Sequence, residues 1–196
     1  MHHVVIIGAG HAGVQVAESL RAGGHDGTVT LVGDEDALPY QRPPLSKDHL
    51  APGRTAEPLP LRGARFYADN GIDLRTGVTA TVLDRRRRTV VLDDGDELPY
   101  TALVLATGAT NRTLAVPGSD LAGVHDLRTL ADAEGLRADL ARAAPPRWWA
   151  RGSSGWSSPP RRARTGSRSP SSRRDRPDGR GLTPRIVRAP RRGAPG

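Results

Sequence analysis

Cysteine is absent from all 196 residues. Its absence excludes a disulfide scaffold, a thiolate zinc site, an iron–sulfur cluster and dithiol redox chemistry within these residues. Any redox function here has to use a bound organic cofactor. Long apolar runs are also missing: none approaches the roughly 20 residues that cross a bilayer. The apolar start Val4 to Gly10 follows two histidines instead of a basic leader. A soluble, cytoplasmic chain is expected.

Negative charge is scarce only in one place. Residues 1–144 hold 15 Lys+Arg and 19 Asp+Glu, whereas residues 145–196 hold 14 Arg and 2 Asp. The formal charge of +8 therefore belongs wholly to the tail, which carries +12 against −4 for the remainder. The tail also holds 9 of the 17 prolines and all three tryptophans, with Leu182, Ile186 and Val187 its only aliphatic side chains larger than Ala. Such a segment buries too little apolar surface to offset its ordering entropy, and disorder is expected over 145–196.

The first 144 residues alternate between two hydrophobic periods. Val4-Val-Ile-Ile7 is a β-branched run bounded by Gly8; from Ala12 the period lengthens, with Val14, Ala17, Leu20 and Arg21 at helical spacing up to Gly23-Gly24. Val29 to Val32 supplies a second strand, completing a βαβ unit expected to be parallel and right-handed. Arg42 to Lys47 holds two adjacent prolines and reads as an ordered loop or helix entry, with Ser46 placed to cap a short helix over Asp48, His49 and Leu50. Gly77 to Leu83 and Thr89 to Leu92 read as antiparallel strands, followed by a turn at 93–97 leading toward Pro99-Tyr100. Ala102 to Ala106 returns as a buried strand, and a helix is expected over Leu127 to Leu140, started by Thr129 or an upstream cap.

Gly8-Ala-Gly10-His-Ala-Gly13 stands between the first strand and the first helix, and Asp34 follows 21 positions beyond the last glycine. In that setting Gly8 permits a tight turn, Gly10 lets backbone approach a pyrophosphate, and Gly13 allows close helix-to-strand packing. Unpaired amides at the helix start then face the anion. Asp34 or Glu35 can accept a hydrogen bond from a ribose hydroxyl. The pattern by itself does not separate FAD from NAD(P). His11 occupies a variable position of the turn and reads as a spacer. His2, His3, His25, His49 and His125 show no ligand spacing, so no metal is assigned. Arg85 to Arg88 reads as a solvated hairpin tip.

The segments VVIIGAGHAGVQVAESLR, LVGDE, PYQRPPLSKDHL and LVLATGA, in that order and spacing, resemble the FAD domain of the NAD(P)H-dependent ferredoxin, rubredoxin and putidaredoxin reductases, within the pyridine nucleotide-disulfide oxidoreductase superfamily. The resemblance covers about residues 3–142 and implies a Rossmann-like α/β fold with a parallel sheet and a small antiparallel excursion. It places the FAD pyrophosphate on Gly8, Gly10, Ala12 and Gly13 and ribose recognition at Asp34, with Glu35 the weaker candidate. It sets Arg42 by the pyrophosphate and Lys47 near the flavin ring, where a cation stabilises developing negative charge. Val78 would meet the adenine through its backbone, Ala106, Thr107 and Gly108 would line the middle of the cofactor, and Arg128 would contact the flavin end. The implied activity is hydride transfer from NAD(P)H to FAD, then electron transfer to a small iron–sulfur or rubredoxin-type protein. The length is short of an enzyme with two dinucleotide domains, so the chain is expected to represent a fragment.

In the resembled enzymes a second glycine-rich turn, for NAD(P)H, follows the helix that matches Leu127 to Leu140. Here Pro146-Arg-Trp-Trp-Ala-Arg-Gly-Ser-Ser-Gly-Trp156 stands at that place. Tryptophan has a single codon, so reading one nucleotide earlier through Trp148-Trp149-Ala150 forces valine and then glycine. With GC-rich codons Arg147 to Ser157 becomes A-V-V-G-A-G-F-I-G-L-E, and Arg168 to Arg173 can give A-V-T-V-V-E. Residues from about 143 onward are therefore read as out of frame. The family's glutamate partner for Lys47 and its flavin-side aspartate are lost with them, the sheet is expected to lack a strand, and weak or no FAD retention is expected of this chain.

Two other readings remain. The Arg/Ser/Pro tail would attract phosphate backbones with strong salt dependence and little sequence preference, but the shifted frame accounts for its composition, so no specific nucleic-acid partner and no membrane are expected. A complete single-dinucleotide NAD(P) dehydrogenase is disfavoured by the RPPLSK loop and by the lack of an acid/base set beyond the turn.

Overall fold

The computed structural model describes residues 2–50, 57–112 and 115–142, together with the backbone of 185–187. It divides into two compact units, Met1–Thr110 and Asn111–Gly196.

In the first unit the chain runs through β1 (His3–Ile7), α1 (His11–Ala22), β2 (Thr28–Val32), α2 (Ala64–Asp69), β3 (Ile72–Arg75), β4 (Ala80–Asp84), β5 (Thr89–Leu92), β6 (Glu97–Pro99) and β7 (Ala102–Leu105). Single 3-10 turns at Pro43–Ser46 and Asp48–Leu50 lie between β2 and α2. A four-stranded sheet has the order β3-β2-β1-β7, all pairs parallel, and β4, β5 and β6 form a separate antiparallel sheet. This is the Rossmann-like arrangement with a small antiparallel excursion.

The two-residue period of β1 decides which layer each side chain enters. Val4 and Ile6 join Val29, Leu31 and Ile72 beneath Val14 and Ala17 of α1 and Tyr67 of α2. Val5 and Ile7 point the other way, with Val32, into Val90, Leu92 and Leu98 of the antiparallel sheet. Both faces of β1 are thus covered, and Val5 and Ile6 are fully buried. Burial of each such side chain contributes roughly 1.5–3 kcal/mol. Arg21 closes the C-terminal end of α1: its guanidinium donates to the carbonyl oxygens of His25 at 2.6 Å, Gly71 at 2.7 Å, and Gly27 and Asn70 at 2.8 Å. At the opposite edge β7 carries Ala-Leu-Val-Leu without a charge, and Leu105 is 64% exposed. An uncharged, exposed edge strand is a template for further pairing.

The strand expected over 77–83 begins later, at Ala80. Gly77 adopts a φ of +69°, and the amides of Gly77 and Val78 are donated to Glu35 and Gly33, which takes both residues out of the hairpin ladder. Ser46 does not cap the following turn; its hydroxyl donates back to the Pro43 carbonyl at 3.4 Å.

In the second unit β8 (Val124–Asp126) pairs antiparallel with β9 (Arg185–Val187), and α3 (Leu130–Arg142) follows β8. Thr129 and Asp132 cap α3 reciprocally: the Asp132 amide donates to Thr129 Oγ1, and the Thr129 amide donates to the Asp132 carboxylate. Apart from β9, the segment 143–196, with its expected disorder and shifted frame, lies outside the described residues.

Across the mouth of the hairpin loop, the Thr79 amide donates to Asp93 Oδ1 and the Asp93 amide donates to the Thr79 carbonyl, both at 2.9 Å. The Thr79 amide holds the Asp93 carboxyl below its usual 3.8, against an opposing cost of desolvation. A folded-state value below the unfolded one stabilises the fold above pH 3.8, and the contribution is lost as pH falls through the depressed value. Asp93→Asn is therefore expected to lower the thermal midpoint at neutral pH and to match the parent in acid well below 3.8. An equal deficit at both pH values would show that the charge is not used.

Candidate dinucleotide-binding site

Where β1 ends, backbone packs on backbone. Gly8 has a φ of +109°, donates its amide to the Val32 carbonyl at 2.8 Å, and lies so near β7 that a Cβ would sit 2.3 Å from the Ala106 oxygen. A Cβ on Gly13 would be 1.9 Å from the Gly8 oxygen, and one on Gly33 would be 2.6 Å from the Ala9 Cβ. Each of these three positions excludes a side chain, because the obstacle is main chain or a rigid methyl. Gly10 is different. A Cβ there meets nothing within 4 Å and its φ is −80°, so the protein's own packing has no need of glycine at that position. Glycine there leaves the first turn of α1 approachable from outside.

That first turn is electrostatically positive. Gly10 caps α1 without a side-chain hydrogen bond, no acidic residue stands in the turn, and the first helical bond runs from the Val14 amide to the Gly10 oxygen at 3.0 Å. Among the described residues the amides of His11, Ala12 and Gly13 therefore lack acceptors, and they point the positive end of the helix dipole outward. This donor set fits a diphosphate. His11 and Ala12 are exposed beside it.

Beyond β2 the two acidic candidates part company. Asp34 is exposed, while Glu35 is half-buried and held by the Tyr40 hydroxyl at 2.6 Å and by Arg42 Nη2 at 2.7 Å. Val78 comes to the same edge because its amide donates to the Gly33 carbonyl at 3.1 Å. Gly33 was legible only as the end of a strand; the clash its side chain would make with Ala9 is a tertiary matter that no local pattern shows. Ala106 is tied to β1 through its amide on the Ile7 carbonyl at 2.7 Å, and Thr107 and Gly108 continue exposed past the turn, Gly108 with a φ of +69°.

Arg42 lies over the Tyr40 ring, 5.6 Å from its centroid, and pairs with Glu35. Lys47 is exposed at the end of the Pro43–Ser46 turn, its amide donating to the Pro44 carbonyl at 3.0 Å, and its ammonium has no ion-pair partner among the described residues. Arg128 belongs to the second unit, where its amide donates to the Asp132 carboxylate. His125 in that unit pairs with Asp139 at 2.9 Å. Among the described residues no group of His, Asp and Glu is arranged to hold a metal ion, and no helix is long and apolar enough to cross a membrane.

The sequence profile of the pyridine nucleotide-disulphide oxidoreductases matches residues 2–149. The chain belongs to that family. It is 49% identical over 138 residues to rhodocoxin reductase of Rhodococcus erythropolis, covering 70% of this chain and 32% of that one. It is 46% identical over 141 residues to putidaredoxin reductase CamA of Pseudomonas putida, covering 70% and 33%. A solved ferredoxin reductase from Rhodopseudomonas palustris superposes with a TM-score of 0.67 at 44% identity, over 72% of this chain and 35% of that one. The reductase in a solved covalent putidaredoxin reductase–putidaredoxin complex superposes with a TM-score of 0.63 at 46% identity. The chain spans about a third of the length of the curated relatives it matches.

Because Gly10 is free of packing, Gly10→Ala is expected to cost only its advantage as the helix cap, about 1 kcal/mol, while weakening ADP binding at least about tenfold, as followed by calorimetry. Gly13→Ala, by contrast, is expected to cost about 3 kcal/mol in urea unfolding. Equal stability losses for the two would contradict the packing described.

Proposed function

We propose that residues 1–144 are the greater part of the FAD-binding domain of a ferredoxin reductase-type flavoenzyme, and that the turn at Gly8 to Gly13 carries the FAD diphosphate. The supporting observation is the contrast among its glycines: Gly8 and Gly13 are demanded by the chain's own backbone, Gly10 only by something that approaches from outside. In this reading Asp34 accepts from the ribose, Val78 meets the adenine through its carbonyl, and Ala12 donates to the diphosphate. Ala106 to Gly108 line the middle of the site. Arg42 steers the anionic cofactor from the loop where it is held. Bound FAD supplies hydride acceptance from NAD(P)H and one-electron release. Lys47 contributes a fixed positive charge that favours the reduced, anionic flavin.

The electron acceptor proposed is a small iron–sulfur or rubredoxin-type carrier, in keeping with the names of rubredoxin-NAD(+) reductase and putidaredoxin reductase among the relatives. A cytoplasmic setting suits that exchange. The charge-free edge of β7 is where a further parallel strand of the complete domain would pair. We infer a frame change near residue 143 as the source of the tail's composition.

The test is a visible spectrum of the purified chain with added FAD, repeated on the frame-restored gene. The chain is expected to retain little flavin and the restored protein a stoichiometric amount. A yellow, stoichiometric 196-residue chain would show that the lost segment is not needed. A colourless restored protein would overturn the FAD reading.

A further inference from the structure

We propose that Glu35 is a positioning residue, not a ribose ligand, and that it latches together the three loops that meet at the cofactor's adenosine side. The inference rests on the FAD reading for its consequence and on geometry for its existence. Glu35 follows Gly33 and Asp34 at the end of β2. Its Oε2 accepts the Tyr40 hydroxyl at 2.6 Å and its Oε1 accepts Arg42 Nη2 at 2.7 Å. Its carbonyl accepts the Gly77 amide at 3.1 Å. One residue thereby binds the Asp34 loop to the start of the segment carrying Lys47 and to the loop carrying Val78.

Both carboxylate oxygens are engaged, one by buried Tyr40 and one by Arg42, whereas Asp34 is exposed and has no such pair among the described residues. Tyr40 is 5% exposed, so its hydroxyl has little access to water as an alternative partner, and a charge-assisted bond to a carboxylate is the strong form of such an interaction. The Arg42 guanidinium lies over the Tyr40 ring, which adds a cation–π attraction to the ion pair. Turning Glu35 toward a ribose would break both side-chain bonds. Arg42 in turn is the residue that opens the Pro43–Ser46 turn, with its carbonyl accepting the Leu45 amide at 3.0 Å. Holding Arg42 therefore holds the turn that ends at Lys47.

The test compares Glu35→Ala, Tyr40→Phe and Asp34→Asn in the full chain, using hydrogen exchange at the Leu45 and Lys47 amides and titration with ADP. Loss of the latch is expected to speed exchange at both amides about tenfold in Glu35→Ala and by a smaller factor in Tyr40→Phe, with ADP affinity kept within about twofold. Asp34→Asn is expected to leave exchange unchanged and to weaken ADP about tenfold. Unchanged exchange in both latch variants, or an ADP loss in Glu35→Ala equal to that of Asp34→Asn, overturns the assignment. Should the parent chain bind no ADP, the cofactor reading fails and exchange alone decides the latch. Tyr40→Phe keeps the ring in place and decides it should Glu35→Ala not fold.

Discussion

The structure depends on one constraint: at the carboxyl ends of β1, β2 and β7, main chain approaches main chain more closely than any side chain allows. Gly8 meets Ala106, Gly13 meets Gly8, and Gly33 meets Ala9. These three approaches seat the start of α1 directly over the sheet, so its unbonded amides face outward from a rigid base and not from a mobile loop. Electrostatic recognition of an anion is most effective when the donors are already in place, since no reorganisation is then required. Strand β1 beneath the turn, with Val4 to Ile7 buried, supplies that rigidity.

Around this fixed point the neighbouring residues are unequally attached. Gly33 and Glu35 are joined to the 77–78 loop by backbone hydrogen bonds, and Tyr40 and Arg42 are joined to Glu35. Lys47, by contrast, is exposed and without an ion-pair partner among the described residues.

How much of this was legible in the sequence varied with the length of the pattern. β1, α1, β2, β5 and β7 carry clear apolar runs or a 3.6-residue period and stand where those patterns put them, although β7, read as a buried strand, leaves Leu105 64% exposed. Thr129 starts α3 as expected, through a reciprocal bond with Asp132. Short elements escaped: α2 has six residues and β3 four, too few for a period to show, and β3 is stabilised by pairing with β2, not by propensity. The strand expected at Gly77 starts three residues late because its first residues bond to the β2 loop. At the site, the spacing singled out Gly8, Gly10 and Gly13 but not Gly33, whose neighbour Ala9 is distant in sequence. It offered Asp34 or Glu35, with Asp34 ranked first by the resemblance; the fold shows Asp34 facing solvent and Glu35 facing Tyr40 and Arg42.

The most direct test of the account is amide NMR of the full chain titrated with ADP. A diphosphate seated on the α1 amides will shift the Gly10, His11, Ala12 and Gly13 resonances strongly and saturably, and leave those of Arg85 to Arg88 nearly unmoved. Shifts spread over the arginine-rich segments, with the turn unaffected, would mean that the chain attracts anions through its net charge and that the glycine turn holds no nucleotide.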